Sequence, residues 1–196
     1  QTEAAKAANR RETRFPSERW ARSRSYGQRC NRRLHRALAE ALTEQGHQAV
    51  APGLLPEMTD QESPAYGWAS NWSERHVAYI SGLGTFSLCG GLITERGQAV
   101  RFGSLVVRAQ IPPTIRPYND PFAYCLYYSH GSCDKCADRC PVGSVSVDGR
   151  DKQACARHLD PATVEYVQRE YGFEGYGCGL CQTGVPCESG IPEPPR

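Results

Sequence analysis

A run of closely spaced cysteines constrains this chain more than any other feature in it. Cys133, Cys136 and Cys140 form C-x2-C-x3-C, with Pro141 directly behind. Cys155 stands alone, and Cys178, Cys181 and Cys187 follow as C-x2-C-x5-C. With Cys125 the set numbers eight within the last 72 residues, out of ten cysteines in all. A cubane [4Fe–4S] cluster takes four cysteine thiolates, and the proline-followed cysteine of one run serves the other cluster of a pair. Count and order therefore fit two such clusters.

The spacing has a physical reason. In C-x2-C the two intervening residues curl the backbone round one edge of a cubane, so thiolates and backbone N–H groups face the inorganic sulfurs. Pro141 turns the chain away and removes a donor that would need a partner. Gly131, Gly143, Gly177 and Gly179 allow close approach of the backbone. Zinc is the competing metal, since paired C-x2-C motifs also make tetrahedral sites. Three sulfurs within eight residues ahead of a proline lie closer to the bacterial ferredoxin run C-x2-C-x2-C-x3-C-P. That run expects a cysteine three residues before Cys133, where this chain has His130. Either His130 ligates iron, or Cys125 reaches round to do so, and the count of eight favours Cys125.

A disulfide framework is the other use for so many cysteines, but such domains are short, secreted and rarely built on C-x2-C pairs. Residues 1–36 contain no apolar stretch of the kind a leader needs, and Arg10–Arg11 lacks the hydrophobic segment that twin-arginine export requires. No apolar run approaches the roughly 18 residues that cross a bilayer. The expectation is a cytoplasmic protein without a membrane span, and the opening at Gln1 rather than Met leaves room for a preceding N-terminal piece. Cys30 and Cys89, outside the cluster region, read as small buried apolar residues.

Residues 1–36 hold eleven Lys or Arg against three Glu, a net +8 in a chain whose total is +2. Such a stretch suits a solvated helix face, or contact with nucleic acid or an acidic partner. Residues 1–16 read as a flexible basic arm, residues 17–118 as an α+β domain, and residues 119–196 as a two-cluster domain. Periodicity predicts a helix over 17–45, with Cys30, Leu34, Leu38, Ala41 and Leu42 on one stripe. A short strand is expected over 47–51 and a loop over 52–64. Asn71 and Glu74 have capping-box spacing for a helix ending at Ser81–Gly82. Strands are expected over 87–94 and 99–108, joined through residues 95–98, and over 145–147. Asp160–Pro161 reads as the opening of a last helix and residues 193–196 as a tail. Tyr124, Tyr127, Tyr128, Tyr171, Phe173 and Tyr176 are placed to shield clusters from water; one could instead serve as a proton donor. There is no nucleophile elbow, P-loop or dinucleotide fingerprint.

Three stretches carry a family likeness: Trp72-Ser-Glu-Arg-His-Val-Ala-Tyr-Ile-Ser-Gly-Leu-Gly-Thr-Phe-Ser, then Leu92-Ile-Thr94, and the closing Tyr176-Gly-Cys-Gly-Leu-Cys-Gln-Thr-Gly-Val-Pro-Cys187. Together they resemble the epoxyqueuosine reductases and the related reductive dehalogenases over roughly residues 26–190. The resemblance implies a nitroreductase-like α+β domain, perhaps abbreviated, followed by a ferredoxin-like module. It implies that Cys140, Cys155, Cys178 and Cys181 hold one [4Fe–4S] cluster, while Cys133, Cys136, Cys187 and Cys125 (or His130) hold the other. It further implies a reductase that delivers single electrons to a corrinoid (cobalamin) or a substrate, with a ferredoxin, a flavodoxin or a larger oxidoreductase complex as donor and tRNA as a candidate partner. A non-catalytic ferredoxin-type subunit docking on a partner oxidoreductase is the alternative. No catalytic residue transfers: where the family carries a proton-donating aspartate after the first strand, this chain reads Val50-Ala-Pro-Gly-Leu, with Glu57 and Asp60 the nearest carboxylates.

Overall fold

The computed structural model describes residues 1–64 and 67–194. In chain order the helices are α1 (Glu3–Arg10), α2 (Glu18–Glu44), α3 (Glu74–Ile80), α4 (Leu126–His130), α5 (Lys135–Asp138), α6 (Lys152–Arg157) and α7 (Val164–Tyr171). The strands are short: β1 (Ala49–Val50), β2 (Asp60–Ser63), β3 (Gly67–Ser70), β4 (Thr85–Phe86), β5 (Leu92–Ile93), β6 (Val106–Val107), β7 (Val145–Ser146) and β8 (Gly149–Arg150). They pair antiparallel as β1 with β6, β2 with β3, β4 with β5, and β7 with β8. Among the described residues no helix is long and apolar enough to cross a membrane.

The chain does not divide once near residue 118. One compact unit gathers residues 1–27, 84–100 and 118–196, and the other takes residues 28–83 and 101–117. The first unit holds the cysteines expected over 119–196, together with two segments that the sequence reading assigns elsewhere.

Residues 1–16 are one of those segments, and they are not a loose arm. Thr2 caps α1 by accepting from the Ala5 N–H, Glu3 sits in the first turn and Arg10 in the last, each favourable with the helix dipole. Ser17 likewise accepts from the Trp20 N–H at the start of α2. Between the two helices the fully buried Asn9 accepts from the Ser17 N–H at 2.9 Å and donates to the Cys178 carbonyl and Thr183 Oγ1, both at 3.2 Å. Arg10 donates Nε to both carboxylate oxygens of Glu188 at 3.0 Å. These polar ties, absent from any hydrophobic pattern, order the segment.

The hairpin expected over 87–108 lies earlier. Ser87 and Gly91 close the turn, with the Ser87 N–H on the Gly91 carbonyl at 2.9 Å, so β4 pairs with β5. Gly90 sits in that turn at φ +70°. Residues beyond Gly97 then pair with the cysteine loop instead: the Gln98 N–H donates to the Cys187 carbonyl at 2.8 Å. Asp160 is extended and follows α6 through a kinked stretch, so α7 begins only at Val164. The core of this unit packs Leu88, Cys89, Ile93, Cys125, Cys136, Val145 and Val185.

In the second unit Ser73, not Asn71, caps α3 by accepting from the His76 N–H. Asn71 instead accepts from the Thr59 N–H at 3.0 Å and donates to the Glu57 carbonyl at 2.7 Å, fixing the base of the β2–β3 pair inside the stretch expected as loop. The apolar stripe of α2 is not a buried one: Leu34 is 54% exposed, Leu38 44%, and Cys30 is exposed as well. Of the described α2 residues from 28 to 44, His35 is the buried one. Of the expected tail over 193–196, Pro195 and Arg196 lie outside the described residues.

Candidate metal centre

Four cysteines from three separate segments line one recess: Cys125, Cys133, Cys136 and Cys187. Cys125 stands at the N-terminal boundary of α4, Cys136 lies within α5, and Cys187 is delivered by the loop that Gln98 pins. The remaining lining is largely apolar, from Leu88, Leu126, Val185 and two prolines. His130 is not part of this lining; it is exposed at the end of α4 and pairs with the Ser129 hydroxyl at 2.7 Å. Burial pushes the Cys187 thiol up, and the nearby charges of Cys89, Cys125 and Cys133 push it further.

Cys140, Cys155, Cys178 and Cys181 form a second group. The charges of Cys155 and Cys140 both reach Cys178, whose thiol is pushed up to about 11 chiefly by burial. Burial works against the Cys140 thiolate too, yet the Ser144 hydroxyl and the N–H groups of Val142, Val145 and Ser144 outweigh it and hold this thiol below its ordinary value. Backbone donors facing a sulfur are the arrangement that stabilises a ligating thiolate. Arg139, one residue earlier, donates Nε to the Thr183 carbonyl at 2.9 Å and Nη2 to the Asn9 carbonyl at 3.1 Å. It thereby fixes the run's last cysteine against the closing loop.

Gly179 shows how tightly that loop is held. It sits at φ +66°, and any Cβ there would overlap the indole of Trp20, which is 1% exposed. Two buried N–H groups beside this second group lack an acceptor among the described residues: Trp20 Nε1, against Gly179, and Arg150 Nε. Arg150 Nη2 donates to Cys155 Sγ at 3.2 Å. Orphaned buried donors are costly, and beside four thiols they suit a group rich in sulfur acceptors.

Cys89 lies between the two groups. It is 2% exposed, donates its thiol to Gln98 Oε1 at 3.4 Å, pairs with the Ser87 hydroxyl at 3.3 Å, and lies against the thiols of Cys136 and Cys181. These contacts raise the Cys136 and Cys181 thiols, since three adjacent buried sulfurs cannot all ionise. Sequence spacing marked Cys89 only as a buried residue, because it lies 36 residues ahead of Cys125. Among the described residues no three His, Cys, Asp or Glu side chains converge closely enough to hold a single ion. The shielding role expected of the tyrosines has partial geometry: Tyr124 and Tyr127 pack on the cysteine core, whereas Tyr128 is 46% exposed and Tyr176 36%.

Comparison with known proteins agrees with the resemblance. The epoxyqueuosine reductase of Bacillus anthracis is 30% identical over 144 residues, covering 70% of this chain and 35% of the relative. The epoxyqueuosine reductase of Bacillus subtilis (strain 168) is 33% identical over 125 residues, 60% of this chain and 30% of that protein. That of Staphylococcus aureus (strain NCTC 8325 / PS 47) is 32% identical over 125 residues, 61% and 30% of the two chains. No family model and no solved structure matches. The chain spans about a third of the length of the curated relatives it matches. Over the part it shares with them, this chain is similar to the epoxyqueuosine reductases.

Proposed function

We propose that this chain is an iron–sulfur redox protein with two [4Fe–4S] clusters, acting in a reductase of the epoxyqueuosine reductase type. The observation that carries the reading is the recess shared by Cys125, Cys133, Cys136 and Cys187, with the second group of four beside it. A single zinc ion draws its sulfurs to about 2.3 Å from one point. Four thiols spread round a recess instead suit a cluster whose irons sit at separate corners.

In this reading Cys125, Cys133, Cys136 and Cys187 hold one cluster, and Cys140, Cys155, Cys178 and Cys181 hold the other. Bound there, each cluster supplies a one-electron reservoir at low potential. The chain's own residues set its conditions. Leu88, Leu126 and Val185 keep water from the first group, a burial that holds potentials low. Ser144 and its neighbouring N–H groups favour the Cys140 thiolate, and Cys89 links the two groups through Cys136 and Cys181. The acceptor is a corrinoid or the substrate itself. Residues 28–83 and 101–117, the unit outside the cysteine core, carry exposed arginines on α2 (Arg32, Arg33, Arg36) that suit a polyanionic substrate such as tRNA.

Titration of the anaerobic protein with dithionite tests the reading. It predicts uptake of about two electrons per chain in two one-electron steps, with bleaching of a broad visible band. Protein that takes up no electrons contradicts it. Cobalt bound in proportion to the chain identifies a corrinoid enzyme. Electron uptake without cobalt or turnover identifies an electron-transfer subunit for a partner oxidoreductase.

A further inference from the structure

One of the two cysteine groups has a guanidinium in direct contact with a sulfur. Arg150 closes β8, and its side chain lies back over the turn between β4 and β5. A Cβ on Gly90 would come within 3.0 Å of Arg150 Nη1 and 3.6 Å of its Cδ, so the guanidinium occupies space that only glycine leaves open. From there Nη2 donates to Cys155 Sγ at 3.2 Å, and the charges of Cys181 and Cys89 reach it as well. Its Nε is buried without an acceptor among the described residues. No cation is among the residues lining the recess of Cys125, Cys133, Cys136 and Cys187.

We propose that Arg150 makes the two groups unequal, so that an electron entering the protein comes to rest on the Cys140, Cys155, Cys178 and Cys181 side. The proposal rests on the two-cluster reading and extends it. Adding one electron makes the group at those thiols more negative by one unit charge. A fixed guanidinium in contact with one of its sulfurs stabilises that state through Coulomb attraction, which is strong where water is excluded. Charge and hydrogen bonds to sulfur are the terms that tune such a potential. The unpartnered Nε adds a donor free to engage whatever the four thiols hold. No bond forms or breaks: a low-potential one-electron donor gives up one electron, and the protein retains it. Arg150 acts here as a positioning residue, through the ligands rather than on a substrate.

The test is a redox titration followed by electron paramagnetic resonance on the full chain, with dithionite as the reductant. The wild type should show two resolved potentials. Arg150→Gln should lower the upper one and leave the lower one in place, while Arg150→Lys, which keeps the charge, retains most of the separation. In a Cys125→Ser background, where only the second group of four stays complete, the surviving potential should still respond to Arg150→Gln. Two clusters whose potentials ignore Arg150→Gln, or shift together, overturn the proposal alone. A wild type that binds no iron–sulfur cluster overturns the underlying reading, and the iron count separates that failure from the first. Should Arg150→Gln fail to retain its cluster, Gly90→Ala, which crowds the guanidinium, carries the same comparison; an unchanged upper potential in that variant again overturns the proposal.

Discussion

Arg139 donates to the carbonyl of Asn9 at 3.1 Å, joining the residue ahead of Cys140 to the helix that opens the chain. Its other nitrogens reach the carbonyls of Arg10, Glu12, Leu180 and Thr183. One guanidinium thus satisfies acceptors on the N-terminal segment and on the closing cysteine loop. Arg139→Ala removes this donor from all five carbonyls, of which Asn9 and Leu180 keep the backbone N–H groups of Glu12 and Thr183, a loss of about 3 kcal/mol. In a chain of this length that lowers Tm by roughly 6–12 °C. Calorimetry of the two proteins checks it; a drop within about 2 °C would mean that the segment is held by other contacts.

The Cys125 and His130 alternatives separate by iron content. Cys125 lines the recess and His130 does not, so Cys125→Ser should retain about four irons and His130→Ala about eight. Full iron content in Cys125→Ser would sink the assignment.

Cys89 touches Cys136 and Cys181 yet belongs to neither group of four. Cys89→Ala should therefore keep about eight irons, because four thiolates per cluster remain. Loss of half the iron would make Cys89 a ligand and displace one of the eight.

Gly179→Ala forces a side chain into the Trp20 indole at a left-handed backbone position. Strain and displacement of the loop between Cys178 and Cys181 should cost at least 2 kcal/mol and deplete the second cluster first. Stability and iron content equal to wild type would show that the loop can move aside.

Acid should weaken the protein through His158. Burial against Phe15 disfavours its imidazolium and holds the ring below its ordinary value, although the Arg14 carbonyl accepts from it at 3.0 Å and works the other way. A base held down in the fold takes protons less readily than in the unfolded chain. Its contribution is therefore complete above about pH 6.5 and lost as pH falls below that value toward the folded one. Denaturation midpoints between pH 7 and 5 should fall less steeply in His158→Gln than in wild type; equal slopes assign the acid sensitivity elsewhere.

Much of the candidate site was legible because cysteine spacing is written in the residues themselves. Cys133, Cys136, Cys140 and Pro141 form a pattern that needs no folding to be seen. Cys89 and Arg150 are different: each reaches the cysteines through the β4–β5 turn or β8, and no local pattern carries such tertiary proximity. The ordering of residues 1–16 was hidden for a related reason. It depends on Asn9, Arg10, Arg139 and Glu188, polar residues that sequence reading assigns to solvent until their partners are known. On α2 the opposite happened, where a regular apolar stripe at Leu34 and Leu38 promised burial that the described chain does not provide. The short strands misled as well, since two-residue pairings are fixed by turns such as Ser87–Gly91 and leave almost no alternation to detect.

Iron and acid-labile sulfide, counted on anaerobically purified and reconstituted protein, test the central claim most directly. The account predicts about eight of each per chain. Zinc held by the same cysteines in place of iron, or an iron content that saturates near four, would contradict it.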